Sequence, residues 1–351
     1  MTTHHPEFRF TQPGTLIAAL PAVLGFVPEK SLVLVSLERG QMGAVMRADL
    51  AADLADNVDR LAELAATSGA DTVVAVIIDA DGALCPMCNA DHRRLCDALL
   101  AALEDREVGL YAAHVVDRVE AGGMWHCIDD CGAKGSVEDP TASPVAVAAV
   151  LDGRRLYPRR TDLQAVIATT DPARAAGLAG LIEARARARR ADWESDPDGC
   201  GRRDVETAMA LATRVCRGGE VADEELAEVA CALTDVAVRD TLYALAVGSE
   251  AGPAESLWAV LARALPDPWR VEALVLLAFS AYARGDGPLA GLSLEAALRA
   301  EPSHRMAGML DTALQSGMRP EQIRELAGTG YRLAQRLGVT LPPRRAFGRA
   351  G

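Results

Sequence analysis

The sequence predicts an α/β N-terminal domain, a mixed sheet with flanking helices, followed by an all-α, tetratricopeptide-like C-terminal domain. Three observations carry this. Strand-like apolar runs occur only early in the chain, and from Asp204 onward the apolar residues keep helical spacing. At 351 residues the chain exceeds the usual size of one core. Half of the residues are apolar but only 4% are aromatic, so Ala, Leu and Val must fill the interior, and such small side chains favour close helix packing.

Taken in order, residues 1–13 read as a loose start, 14–195 as the α/β domain, 204–337 as the helical domain and 338–351 as a flexible tail. Thr15 to Leu24 suits a short helix. Ser31 to Leu37 is a strand, joined through a turn at Gly40 to a second strand over Met42 to Asp49. Leu54, Val58, Leu61, Leu64 and Ala65 fall on one helical face within 50–67. Asp71 to Asp79 (DTVVAVIID) is a continuous apolar run, as in a strand covered on both faces. A helix from Asp91 to Glu104 and a strand from Val108 to Val119 follow. The order β-β-α-β-α-β implies a mixed sheet with helices packed on it. Gly122 to Ser143 reads as a loop-rich segment, and helices are expected over 144–151, 162–168 and 171–191. Asp196 to Gly201 (DPDGCG) reads as an inter-domain linker.

Downstream, helices are expected at 204–216, 222–232, 235–247, 254–265, 269–284, 288–300, 303–316 and 320–337. Leu274, Leu277, Ala278, Ala290, Leu294, Ala297 and Pro302 match the offsets of a tetratricopeptide unit. Gly285 suits the end of its first helix and Pro288 the start of its second. Ala244, Ser256 and Pro268 keep the same offsets one unit earlier. An ordinary bundle of Ala-rich helices is the alternative.

The net charge of −13 argues against binding duplex DNA or anionic membranes through their phosphates. The arginine cluster Arg185, Arg187, Arg189 and Arg190 is expected to be solvated and to complement a helix C-terminus, with a phosphate or RNA contact as the alternative; Arg154, Arg155, Arg159 and Arg160 form a second cluster that could complete an anion site if both share one face. No apolar run reaches the roughly 18 residues that span a bilayer. Residues 1–13 lack the pattern of a signal peptide. The expectation is a cytoplasmic protein whose eight cysteines are reduced or metal-bound. Its expected partner is a protein or peptide, with no nucleic acid and no membrane; the oligomeric state stays open. The phosphate cradles G-x-x-x-x-G-K-[ST] and G-x-G-x-x-G are missing.

The cysteines give the sharpest local signal. Cys85-Pro-Met-Cys88 and Cys127-Ile-Asp-Asp-Cys131 could converge as a structural Zn²⁺ site, because thiolates are soft ligands and short loops set the bite of each pair. His92, Cys96 and His126 are nearby substitutes. Two alternatives remain: reduced, partly buried thiols, or a redox C-x-x-C. The redox reading needs a helix N-terminus at the first cysteine, and with a helix starting at Asp91, Cys85 lies too far ahead. Cys216 and Cys231 are expected to pack between helices.

Val76 to Leu84 (VIIDADGAL) carries a second idea. A strand ending in D-x-D-G resembles the first motif of haloacid-dehalogenase-type phosphotransferases, in which one Asp attacks phosphate, the other is the acid/base and Mg²⁺ neutralises charge. Asp79 and Asp81 would take these roles. The plainer reading is an Asp-Gly turn. His114 is expected to be a satisfied sheet residue, and His304 to cap a helix or face solvent. Arg239 and Asp240, about 100° apart on a helix, are not expected to pair with each other; Arg239 should bridge helices.

Five blocks together resemble an actinobacterial family known as domain of unknown function 4192. They are LIAALPAVLGFVPEKSLVLVSL, GGMWHCIDDCG, SPVAVAAVLDGRRLYPRRTDLQAVI, TDVAVRDTLYAL and VEALVLLAFSAYARGDGPLAGLSLEAALRAEP. The resemblance runs from about Gly14 to Leu337 and implies a shared fold; it carries no catalytic residue. The functional expectation is therefore a non-enzymatic protein-interaction or regulatory module using a helical repeat surface, with a Mg²⁺-dependent phosphohydrolase on Asp79 and Asp81 as the competitor.

Overall fold

A computed structural model of the chain describes residues 12–345 apart from 39–40, 52, 130 and 152–154. It divides into two compact units, one ending at Arg160 and the next starting at Thr161.

The first unit opens with α1 (Pro13–Leu24), where Pro13 occupies the first turn and Gly25, at φ 76°, ends the helix in the left-handed region. Strands β1 (Ser31–Glu38) and β2 (Gln41–Asp49) form an antiparallel hairpin. Then come α2 (Val58–Thr67), β3 (Thr72–Ile78), α3 (Pro86–Glu104), β4 (Gly109–Val116), β5 (Met124–Cys127), β6 (Lys134–Ser136) and α4 (Pro144–Leu151). The six strands make one sheet in the order β2-β1-β3-β4-β5-β6. Only β3 and β4 run parallel, with α3 as their crossover, and the other pairs are antiparallel.

The expected mixed sheet with flanking helices is present. One core joins Leu34, Val73, Ala75, Ile77 and Val115 of the sheet to Ala62 and Ala65 of α2 and Leu99 and Leu103 of α3. The unbroken burial of Val73 to Ile78 explains why β3 lacks polar alternation. Within the loop-rich segment 122–143, the short strands β5 and β6 extend the sheet at its edge. One local expectation is corrected: α3 starts at Pro86, not Asp91.

The second unit contains α6 (Pro172–Ser195), α7 (Pro197–Cys216), α8 (Asp223–Ala232), α9 (Val236–Leu242) with a 3₁₀ turn over Tyr243–Val247, α10 (Ala251–Ala264), α11 (Trp269–Ala283), α12 (Gly287–Ala300), α13 (Arg305–Gln315) and α14 (Pro320–Leu337); α5 (Arg160–Ala165) begins at the division. Among the described residues no strand lies beyond Asp204, as expected; a single bridge pairs Gly248 with Arg344.

The unit boundary falls well before the expected DPDGCG linker. That hexapeptide is the start of α7: the Asp196 carboxylate accepts the Gly199 N–H at 2.9 Å and Pro197 occupies the first turn. Asp, Pro and Gly serve helix starts as well as linkers, and α6 packs on α7 and α8.

Helix α11 is buried along nearly its whole length, from Val271 to Ala283. It packs on α10, α12, α13, α14 and the Tyr243–Val247 turn, while α10 also meets α7 and α14 meets α9. These contacts reach past chain neighbours, so the unit is a bundle around α11. In an open repeat stack each unit meets only the next. Small residues at the α11–α12 contact are what any closely packed helix pair requires.

Candidate functional site

The chain leaves β3 at Ile78 and makes a tight turn into α3. Pro86 fits the first helical position because its missing N–H has no intrahelical partner there. Cys85 is the N-cap, and its Sγ accepts the Cys88 N–H at 3.4 Å, the role usually taken by a Ser or Asp oxygen. The expectation that Cys85 lies ahead of the helix is thus corrected: the C-x-x-C pair is the first turn of α3. The Cys88 N–H, then the Cys88 thiol, hold the Cys85 thiol below its ordinary pKa. Cys88 is pushed up, first by its thiol contact with Cys85 and then by burial.

Asn89 anchors this turn. Its Nδ2 donates to the carbonyls of Ala83 and Cys85, both at 3.0 Å, and its Oδ1 lies 3.0 Å from His126 Nε2 on β5. Beneath the turn, Asp79 and His92 are buried and meet through Oδ2 and Nε2 at 3.2 Å. Among the described residues His92 Nδ1 has no hydrogen-bond partner. Gly82 is needed here, since a β-carbon at this position would overlap Asp79 Oδ2 and sit 3.1 Å from Cys88 Cβ. Asp79 and Cys88 therefore flank the same point. Asp81 instead pairs with Lys30 at 2.9 Å on the surface. A cavity of ≈ 610 Å³ lined by Lys30, Ile78, Ala80, Asp117, Arg118 and Pro158 opens at these strand ends, where open α/β sheets commonly bind ligands. Leu84 and Met87, on either side of Cys85, are 88% and 75% exposed.

The second cysteine pair is organised differently. Cys127 ends β5, is buried, and stands opposite His114 in the β4–β5 register. Ligand atoms of Cys127, Asp129 and Cys131 lie within 4.8 Å of one another. The Cys131 N–H donates to Asp129 Oδ1 at 3.0 Å. Burial, reinforced by contacts with Asp129 and Cys131, pushes the Cys127 thiol up to about 12; the Cys127 thiol in turn holds Asp129 down to about 2. Among the described residues, then, two of the four expected metal-ligand cysteines gather with Asp129, and Cys85 and Cys88 form their own pair. Asp129 was missed as a ligand, although C-x-D-x-C spacing within one hairpin turn is a readable signal. Cys96 is buried in the core, which pushes its thiol up to about 12. Asp130 and Arg154 lie outside the described residues.

In the helical unit the first arginine cluster stands among carboxylates. Arg185 meets Glu228, Arg187 lies 3.8 Å from Glu183, Arg189 meets half-buried Asp204, and Arg190 lies 3.9 Å from Glu194. Beside it, a groove of ≈ 520 Å³ is lined by Ala186, Arg190, Trp193, Thr234, Asp235 and Val236. Trp193 is 46% and Val236 58% exposed, and the indole N–H donates to Asp235 Oδ2 at 3.0 Å.

Elsewhere, Cys231 is buried as expected, whereas Cys216 is exposed at the end of α7. His304 caps α13, accepting the Ala307 N–H at 3.1 Å. His114 is buried edge-on to Trp125 at 5.2 Å, with Nδ1 unpartnered among the described residues. Arg239 bridges α9 to Glu272 of α11 at 2.9 Å, as expected, but its long side chain also folds back onto Asp240 at 3.1 Å, against expectation.

No curated protein and no solved structure matches the chain. The family model described as Domain of unknown function (DUF4192) matches residues 13–321, which include both cysteine pairs, the Trp193 groove and the α11–α12 pair. The chain belongs to the domain of unknown function 4192 family.

Proposed function

We propose that this chain is a non-enzymatic protein-interaction or regulatory protein that takes a peptide or protein partner on its helical unit. The single observation behind this reading is the Trp193–Val236 groove, where two exposed apolar side chains stand beside Arg190, itself largely solvent-facing. Trp and Arg are the residue types over-represented at binding hot spots. The matching occupant is a short apolar segment carrying a carboxylate. Selection of a displayed random-peptide library on the whole chain tests it. Enriched peptides should combine an apolar residue with an acidic one and lose binding to Trp193→Ala. No enrichment, or enrichment that survives Trp193→Ala, overturns the reading. The alternative is a Mg²⁺-dependent phosphohydrolase built on Asp79 and Asp81; turnover of phosphate esters that is lost in Asp79→Asn would favour it.

A second reading rests on Cys127, Asp129 and Cys131. Two thiols and a carboxylate this close suit Zn²⁺ in a structural role, holding the β5–β6 turn. Protein purified without chelator should carry one equivalent of zinc that is lost in Cys131→Ser. Metal-free native protein, or zinc retained in that variant, refutes this assignment.

A further inference from the structure

We propose that Cys85 and Cys88 are a redox-active dithiol that exchanges with disulfides of other proteins, a role separate from the Trp193 groove. The pair forms the first turn of α3, the next element after β3, and the Cys88 N–H lies 3.4 Å from the Cys85 sulfur. Three residues apart at a helix start, the two side chains stand on one helix face. The first turn of α3 supplies unpaired N–H groups, which favour a thiolate at Cys85.

Three further features fit exchange with a protein better than inert packing. Cys85 and Cys88 are both partly exposed, unlike Cys96, Cys127, Cys200 and Cys231. Leu84 and Met87 flank Cys85 as exposed apolar side chains, giving a partner's backbone an apolar seat beside the sulfur. And the buried Asp79–His92 pair lies behind Cys88 across Gly82, with His92 Nδ1 unpartnered among the described residues. This pair is the proton acceptor for the inner thiol.

The exchange balances as follows. The Cys85 thiolate, its proton given to solvent, attacks one sulfur of the substrate disulfide. The substrate S–S bond breaks, its other sulfur leaves as a thiolate and takes a proton from solvent, and a mixed disulfide with Cys85 forms. Cys88 gives its proton to the Asp79–His92 pair and attacks Cys85 Sγ. The mixed disulfide breaks, and the second substrate sulfur leaves and takes up a proton. Two protein thiols become one disulfide, and one substrate disulfide becomes two thiols. A low-molecular-weight thiol reverses the oxidation.

The test uses the whole chain. In dithiothreitol buffers of graded oxidation, alkylation and peptide mass spectrometry should show a reversible Cys85–Cys88 disulfide. With insulin as the probe disulfide and dithiothreitol as reductant, the chain should accelerate reduction, and Cys85→Ser should abolish the acceleration. Cys88→Ser should accumulate a Cys85–insulin mixed disulfide. Asp79→Asn should move the pH profile of mixed-disulfide resolution while leaving its formation unchanged. Leu84→Ser with Met87→Ser should keep the redox titration and lose insulin turnover. The proposal is overturned if Cys85 and Cys88 stay reduced at every ratio, if zinc protects them from oxidation, or if a disulfide forms without insulin reduction. None of these results bears on peptide binding at Trp193, so each reading fails on its own.

Discussion

Replacing one glycine by alanine in two helices of the same unit should shift stability in opposite directions. In α14, a β-carbon on Gly330 would meet the carbonyl oxygens of Asp240 and Thr241 at 2.8 and 2.9 Å and Ala244 Cβ at 2.9 Å. Two of these atoms are backbone, so no rotamer change relieves them and α14 must move off α9. Overpacking of this kind costs about 1–3 kcal/mol, against a helix-propensity gain of about 1 kcal/mol. Gly180 of α6 is exposed and its β-carbon would meet nothing within 4 Å. There only the propensity gain remains. Gly330→Ala should therefore lower the helical unit's melting temperature, and Gly180→Ala should raise it, each by about 2–4 °C per kcal/mol for a unit of this size. Thermal unfolding followed by far-ultraviolet circular dichroism reads both. Equal stabilisation by the two substitutions would refute the close approach of α14 to α9, and with it the bundle packing.

Further tests address single contacts. Phe279→Ala, which empties a buried site 4.9 Å from the Tyr243 ring, should cost about 3–5 kcal/mol in denaturant unfolding. Arg284→Met should cost about 3–5 kcal/mol by the same measurement, because half-buried Glu255 and buried Asp286 lose their shared cation. Burial outweighs the neighbouring Arg189 and raises the Asp204 carboxyl to about 6; folding then favours its protonated form, so stability should fall as pH rises from 3.8 to about 6, and Asp204→Asn should flatten that slope. Iodoacetamide should label Cys85 before Cys88 as pH is raised, read by peptide mass spectrometry, since Cys85 is lowered and Cys88 raised.

The division into sheet and bundle was legible because burial imposes period. Val73 to Ile78, covered on both faces, could be little else but an inner strand, and α14 kept helical spacing throughout. What escaped was set by few residues or by partners far along the chain. β5 and β6 span Met124–Cys127 and Lys134–Ser136, too short to show alternation. The start of α3 was hidden because a cysteine does the capping. The D-x-D-G string is legible, but its meaning depends on His92 and Lys30, which only the fold brings to Asp79 and Asp81.

Electrostatics divides the labour between the two cysteine pairs. At the head of α3, N–H groups face Cys85, so negative charge on sulfur is favoured without any bound ion. In the β5–β6 turn the nearest charged neighbour of Cys127 is the carboxylate of Asp129, and Cys127 is buried besides. A further negative charge on Cys127, within a few ångströms of that carboxylate, is opposed by like-charge repulsion as well as by burial. The Cys85 sulfur thus stands where negative charge is favoured, and the Cys127 sulfur where it is opposed. Sequence spacing treats the four sulfurs as equivalent ligands; the helix terminus and the carboxylate make them chemically distinct.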